Sequence, residues 1–147
     1  LVRAGLVRWA AARRYAQAII DRFDVRSAQP DTVAGALSGG NLQKFVIGRE
    51  ILQEPEVLVV NQPTWGVDAR AAAAIRQALL DLADRGVAVV VISQDLDELL
   101  EVSDRLGVLT AGRLGRMQTT SLLTRESIGR LLGGLADERW ASEQRAC

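Results

Sequence analysis

The first half of the chain carries apolar residues at helical spacing. Between residues 7 and 23 they recur at three- and four-residue steps with arginines between them, which predicts an amphipathic helix. A second helix is predicted to begin after Ser38, Gly39 and Gly40 and to end before Pro55. The apolar residues that this second helix should bury are Leu42, Phe45, Val46 and Ile51.

The middle of the chain carries two uninterrupted aliphatic runs. Residues 57–60 and 87–92 are β-branched or aliphatic throughout, which is typical of parallel strands covered on both faces. Between them, residues 69–83 are rich in alanine and leucine and are followed by Gly86, as at many helix ends. The order strand, helix, strand predicts a βαβ unit.

The last third of the chain predicts smaller elements. We expect a short helix over residues 95–102 and a strand over residues 106–110 that turns into a hairpin with residues 114–117. A last helix, capped by Ser121 or Thr124, should precede a frayed C-terminal tail.

Composition narrows the classes of function. The 147 residues suffice for one domain with a core, and the 18 basic residues balance the 18 acidic ones, so nothing favours nucleic acid as a partner. Histidine, the commonest general base and metal ligand, is absent. Cys147 is the single cysteine, which excludes an internal disulfide. The longest apolar run, residues 87–92, is far below the ~20 residues of a membrane helix.

The octapeptide from Leu37 to Lys44 is the most informative stretch. It reads Leu-Ser-Gly-Gly-Asn-Leu-Gln-Lys, so a Ser-Gly-Gly step opens the second predicted helix. A helix N-terminus presents free N–H groups and a positive dipole end, and glycines let an anion approach where a Cβ would block it. This chemistry suits a phosphate group, while the alternative is an ordinary serine N-cap.

This octapeptide and two later segments, in this order and spacing, resemble the second half of an ATP-binding-cassette (ABC) nucleotide-binding domain. The octapeptide resembles the signature loop, and Gly66-Val67-Asp68 resembles the D-loop. Asn61 and Gln62 stand at the Walker B and catalytic-glutamate positions, and Gln94 stands at the switch-histidine position. The form of these motifs is similar to the C-terminal cassette of a duplicated ATPase in simple-sugar and nucleoside importers.

The resemblance implies an α/β fold, namely a P-loop NTPase-like cassette fragment with a mostly parallel sheet flanked by helices. Residues 1–36 would form part of the helical subdomain. Residues 37–118 would form the signature loop and the C-terminal half of the ATP-binding core, and residues 119–147 a C-terminal helix and tail. Neither a Walker A phosphate loop nor an initial Met occurs, so we expect a fragment of a longer protein.

Cassettes of this family pair head to tail, and each signature loop closes over an ATP held by the other cassette. The positions that the resemblance assigns to nucleotide binding are Leu37, Ser38, Gly39, Gly40, Asn41, Gln43 and Asp68. The Ser-Gly-Gly step would contact the γ-phosphate of the other cassette's ATP, and the two amides would add side-chain contacts. Asp68 would link the two sites at the dimer interface, unless it is only a turn residue before a helix.

The cassette's own site departs from the family pattern at three positions. A Walker B carboxylate would hold Mg²⁺ and the next residue, a glutamate, would polarise the attacking water, but here Asn61 and Gln62 are neutral amides. Asn61 would thus be a weak Mg²⁺ position, since its amide can accept a hydrogen bond from a metal-bound water but adds no negative charge. Gln94 can form hydrogen bonds but does not titrate near neutral pH. Losing one such group commonly costs ~10² to 10⁴ in rate. We therefore expect this site to bind ATP but barely to hydrolyse it.

The resemblance also implies partners and a location. The cassette would pair with a second cassette, dock on membrane permease subunits at the cytoplasmic face of the plasma (inner) membrane, and serve a substrate-binding protein indirectly. The alternatives are a soluble ABC ATPase outside transport, which the neutral charge balance disfavours, and a vestigial regulatory cassette. Alone, the chain should be marginally stable, aggregation-prone and unable to bind or hydrolyse ATP, since its sheet would expose an edge and apolar surface.

Overall fold

The computed structural model describes residues 2–3, 5–26 and 28–133, and the chain divides into two compact units, residues 1–94 and 95–147. The helices and strands of the first unit are β1 (Val2–Arg3), β2 (Leu6–Val7), α1 (Trp9–Arg22), α2 (Gly39–Ile51), β3 (Val57–Asn61), α3 (Ala69–Asp84) and β4 (Ala88–Ile92). Those of the second unit are α4 (Leu96–Val102), β5 (Arg105–Leu106), β6 (Leu109–Thr110), β7 (Arg113–Leu114), β8 (Gln118–Thr119) and α5 (Arg125–Leu132). Among the described residues no helix is long and apolar enough to cross a membrane.

Helices α1 and α2 pack closely because a glycine lies at their contact. A Cβ added at Gly48 would meet Phe23 Cδ2 at 2.5 Å and Ile19 Cγ2 at 2.9 Å, and both of these side chains are buried in the core. Lys44, one turn earlier on α2, is only 4% exposed, and its Nζ donates a hydrogen bond to the carbonyl of Asp24 at 2.7 Å. Helix α2 is thereby joined to α1 by packing, and to the segment after α1 by a partly buried hydrogen bond.

The predicted βαβ unit is confirmed in this structure. Strands β3 and β4 pair in parallel, with Val57 opposite Ala88 and Asn61 opposite Ile92. Helix α3 lies between them in sequence, and its N-terminus is capped by the side chain of Asp68. The core of this unit combines residues of α1, α2, β3 and α3. It includes Ile19, Ile47, Ile51, Leu58, Val60, Ile75, Leu79 and Leu82.

The expectation that both faces of the two strands are covered is wrong for the described residues. Leu58 and Val60 of β3 are buried, whereas the alternating residues Val57 and Val59 are each 61% exposed. On β4, Val90 is 48% exposed. Opposite residues of a parallel pair lie on the same face, so the core side chains cover one face and leave the other open. The exposed apolar surface expected of a fragment is therefore present, and it lies on this open face.

The second unit is built from short antiparallel pairs and two helices. Strand β6 pairs with β7 in the predicted hairpin, whose turn contains Ala111 and Gly112 with positive φ. Strand β5 pairs instead with β8, so the prediction of a single strand over residues 106–110 is wrong. The prediction of a strand over residues 114–117 is also wrong, since β7 ends at Leu114. Gly107 lies between β5 and β6, where the strand is interrupted. An added Cβ at Gly107 would lie 2.5 Å from the Met117 Sδ, so the chain at this interruption packs closely on Met117.

Other sequence predictions need smaller corrections. The first helix begins at Trp9 rather than residue 7, because residues 6–7 pair with β1 in a strand. Leu42 is 37% exposed, since α2 faces the core through Lys44, Ile47, Gly48 and Ile51 instead. Thr124, not Ser121, caps the last helix. The predicted frayed tail lies outside the described residues.

Candidate functional site

Ser38 caps the N-terminus of α2. Its backbone is extended, and its Oγ accepts hydrogen bonds from the backbone N–H and the Nδ2 of Asn41, at 3.4 and 3.0 Å. The N–H groups of Gly39 and Gly40 in the first turn have no intrahelical acceptor. No hydrogen bond from either group is found in the described part of the chain. The two donors and the helix dipole therefore point out of α2 as an anion site would require.

The two signature glycines have different surroundings. A Cβ added at Gly39, which is exposed, would meet nothing within 4 Å. A Cβ added at Gly40 would lie 2.7 Å from the carbonyl oxygen of Gly66, which has a φ of +71°. Gly39 thus keeps open space for an approaching ligand, whereas Gly40 allows the first turn of α2 to pack against the D-loop. The sequence prediction assigned both glycines to the ligand.

The side chains of the remaining signature residues are engaged within the chain. Asn41 Oδ1 accepts the N–H of Arg26 at 3.1 Å, and Gln43 Nε2 donates to the carbonyls of Gln62 and Pro63. Leu37, at the start of the loop, is half-buried and packs against the core. Their predicted contacts to a nucleotide stay predictions, but the contacts seen here hold the loop in place.

The three positions that the resemblance assigns to the cassette's own site lie together. Asn61, Gln62 and Gln94 line one open cavity of about 320 Å³ together with Gln43 and Trp65. They meet because β3 and β4 are parallel, which brings their C-terminal ends to one edge of the sheet. The N–H of Gln62 donates to the carbonyl of Ile92 at 2.7 Å, extending the strand pairing by one residue beyond Asn61. The cavity is lined by neutral amides and one indole.

This set of side chains does not fit a cation held by protein carboxylates. Asn61, Gln62 and Gln94 offer amide oxygens without negative charge, and Mg²⁺ in proteins is bound mainly by carboxylates and phosphates. Among the described residues there is no group of three or more His, Cys, Asp or Glu side chains that could hold a metal. We therefore assign no metal to these residues, and Asn61 as a weak Mg²⁺ ligand stays a prediction.

Asp68 acts here as the N-cap of α3. Its Oδ1 accepts the N–H of Ala71 at 2.9 Å. That hydrogen bond lowers the pKa of the Asp68 carboxyl below its usual value of 3.8, and the positive charges of Lys44 and Arg26 act in the same direction. The predicted role at a dimer interface stays a prediction. The carboxylate is exposed and ionised next to the signature loop.

Three neighbours of the site were not predicted from the sequence. Arg26 and Lys44 bring positive charge near Asp68, and Trp65, 74% exposed, lines the cavity. Lys44 belongs to the signature octapeptide, but nothing in its sequence signalled burial. Trp65 stands in the D-loop segment, where the sequence does not decide between an exposed turn or interface aromatic and a contact to nucleotide.

Curated relatives of the chain are import proteins, although no family model matches it. It is 45% identical over 127 residues to a glucose import ATP-binding protein of Haloferax volcanii, covering 85% of this chain and 23% of that protein. It is 42% identical over 120 residues to a nucleoside import ATP-binding protein of Lactococcus lactis subsp. cremoris, covering 82% of this chain and 24% of that protein. The chain thus spans about a quarter of the length of these relatives.

A solved structure supports the fold independently. A dimeric ATP-binding cassette in a post-hydrolysis state, bound to ADP and Pi, aligns with a TM-score of 0.68 over 80% of this chain and 51% of that chain. The sequences are 24% identical, so the likeness shows the fold alone. It confirms the predicted P-loop NTPase-like α/β fold. Since the curated relatives are sugar and nucleoside import ATP-binding proteins and the structural neighbours are ABC ATPase cassettes, this chain is part of an ABC-type ATP-binding cassette.

Proposed function

We propose that this chain is part of the ATP-binding subunit of an ABC importer for simple sugars or nucleosides. Its signature loop completes the ATP site of a partner cassette, while its own site hydrolyses ATP poorly. The observation that carries the proposal is the contrast between the two sites. The first turn of α2 presents Ser38 and an exposed Gly39 with open space around it, whereas the cavity at the end of β3 is lined by neutral amides.

The signature loop supplies hydrogen bonds and a dipole to an incoming phosphate. The N–H groups of Gly39 and Gly40, together with the hydroxyl of Ser38, offer neutral donors at a positive helix end. Such donors stabilise the charge of a γ-phosphate that another cassette holds, without taking part in proton transfer. When bound, ATP supplies the phosphoryl group, and the loop orients and shields it.

The cassette's own cavity lacks a general base. Gln62 cannot accept a proton, and Gln94 offers only amide hydrogen bonds. Orientation of a water molecule is all that these residues provide, so hydrolysis here is slow. The importer then relies on the partner's site, and this cassette acts mainly as the lid of that site.

The remaining features of the proposal rest on the family resemblance and on the relatives' names. The whole importer ATPase would contain or bind a second cassette, and would dock on permease subunits at the cytoplasmic face of the plasma (inner) membrane. A substrate-binding protein would deliver the sugar or nucleoside. The curated relatives named for glucose and nucleoside import support this class of cargo.

The test is the ATPase activity of the full-length protein carrying Gly39→Asp. An aspartate at the first position of a helix is compatible with its dipole, and a side chain at Gly39 meets nothing within 4 Å, so the fold should persist. The carboxylate would repel the partner's γ-phosphate, and we expect turnover to fall by roughly 10²-fold. Gln62→Glu, made in parallel, tests whether a carboxylate revives the degenerate site.

The matched control is Gly35→Asp. Gly35 is also exposed with nothing within 4 Å of an added Cβ, but it lies before the signature loop. Its variant should keep full activity. If Gly39→Asp also kept full activity, the trans-acting role would be wrong and a vestigial or regulatory cassette would be the better description.

A further inference from the structure

Gln43 joins the signature helix to the end of strand β3. Its Nε2 donates to two consecutive carbonyls, that of Gln62 at 3.0 Å and that of Pro63 at 3.2 Å. Gln62 has a φ of +51°, a conformation that non-glycine residues seldom adopt, and the Pro63 side chain is fully buried. The amide of Gln43 therefore holds a turn whose backbone is unusual and whose next residue is anchored in the core.

A second contact joins the same two segments. Gly40 packs so closely on the carbonyl of Gly66 that a Cβ there would lie 2.7 Å from that oxygen. Gly40 and Gln43 are three residues apart and lie on the same face of α2. The first turns of the helix are thus fixed to the segment from Gln62 to Gly66 at two points, one hydrogen-bonded and one sterically close.

Gln43 also lines the cavity that contains Asn61, Gln62 and Gln94. We propose that Gln43 is a positioning residue that couples the occupancy of this cassette's own cavity to the orientation of its signature loop. The proposal rests on the proposed function, since it assumes that the loop serves a partner's ATP. A ligand that shifts the carbonyls of Gln62 and Pro63 would move α2 with them, and with it Ser38 and Gly39.

The test compares Gln43→Met with Gln43→Glu in the full-length importer ATPase. Methionine keeps the length and volume of the side chain but removes both donors, whereas glutamate places acceptor oxygens against two carbonyls. The nucleotide in the partner's site is held mainly by the partner, so we expect Gln43→Met to lower kcat roughly tenfold while KM for ATP stays within about twofold.

The split between kcat and KM separates positioning from a general loss of structure. Gln43→Glu places acceptor oxygens against two carbonyls, so it should lower kcat at least as far as Gln43→Met does. The matched control is Gln77→Met on α3, whose exposed amide donates to Asp81 at 2.8 Å, and its kinetics should equal those of the unmodified protein.

Two results would overturn the coupling: kcat of Gln43→Met within about twofold of the unmodified enzyme, or a raised KM at unchanged kcat. Gly39→Asp in the same assay separates this inference from the proposed function. If Gly39→Asp abolishes turnover while Gln43→Met does not change it, only the coupling is wrong. If Gly39→Asp leaves turnover intact, the proposed function fails and the coupling fails with it.

Discussion

Replacing each of the two signature glycines by alanine should separate packing from ligand contact. At Gly40 the new Cβ would lie 2.7 Å from the carbonyl oxygen of Gly66, a distance that must open to at least 3.0 Å. Both groups belong to backbone, so either α2 or the D-loop must shift. At Gly39 the same methyl group would meet nothing within 4 Å. We therefore expect Gly40→Ala, but not Gly39→Ala, to destabilise this region.

The size of the effect follows from two opposing terms. Overpacking of this kind costs about 1–3 kcal/mol, and alanine recovers up to ~1 kcal/mol relative to glycine in a helix. A net cost of about 1–2 kcal/mol raises the population of locally open states by roughly five- to thirtyfold. Amide hydrogen exchange in the full-length protein measures this directly, at the amides of the first turns of α2 and of residues 64–68.

ATPase activity, measured on the same two variants, tests the role of Gly39 in ligand contact. Gly39→Ala should exchange as the unmodified protein does in the same amides, yet lose ATPase activity, because its methyl group occupies the space left for the partner's phosphate. Equal exchange rates in Gly39→Ala and Gly40→Ala would refute the packing argument. Faster exchange in Gly39→Ala than in Gly40→Ala would reverse the assignment of the two glycines.

Two further predictions concern the scaffold of the site. Gly48→Ala should lower the unfolding free energy by about 1–2 kcal/mol, since the new Cβ would lie 2.5 Å from Phe23 Cδ2. Gly129→Ala in α5 is the control, because an added Cβ there meets nothing within 4 Å, and it should be neutral or stabilising. Denaturant unfolding measures both variants. Asp68→Ala should destabilise α3 at neutral pH. Because the pKa of Asp68 is lowered in the folded state, the stabilisation by this cap is full above about pH 4 and is lost as pH falls through the folded pKa. The difference in unfolding free energy between Asp68→Ala and the unmodified protein should therefore shrink in acid. A difference that stays constant with pH would contradict this prediction.

The parts of the fold that follow local periodicity were predictable from the sequence. Strands β3 and β4 and helix α3 appear as βαβ because long aliphatic and alanine-rich runs leave few alternatives. The open face of the sheet was only partly foreseen. Continuous aliphatic runs are the same whether one face or both are covered, so sequence alone does not show that Val57 and Val59 are exposed.

The site was predictable in its residue types but not in its contacts. The resemblance placed Asn61, Gln62 and Gln94 in one site, and in the structure they line one cavity. They meet because they end or follow two neighbouring parallel strands. The engagement of Gln43 with backbone carbonyls was not predictable, because a glutamine on a helix carries no signal of what its amide meets. Tertiary contacts between segments about 20 residues apart decide such details.

The partly buried hydrogen bond between α2 and the segment after α1 can be followed by a chemical measurement. Lys44 is the single lysine among the 18 basic residues of the sequence, and it is 4% exposed. An acylating reagent must reach a deprotonated amine, and Lys44 offers its amine only when its Nζ leaves the carbonyl of Asp24. The rate at which this side chain is acylated therefore reports how often the hydrogen bond between the signature helix and the segment after α1 opens, with no reporter group introduced into the cassette.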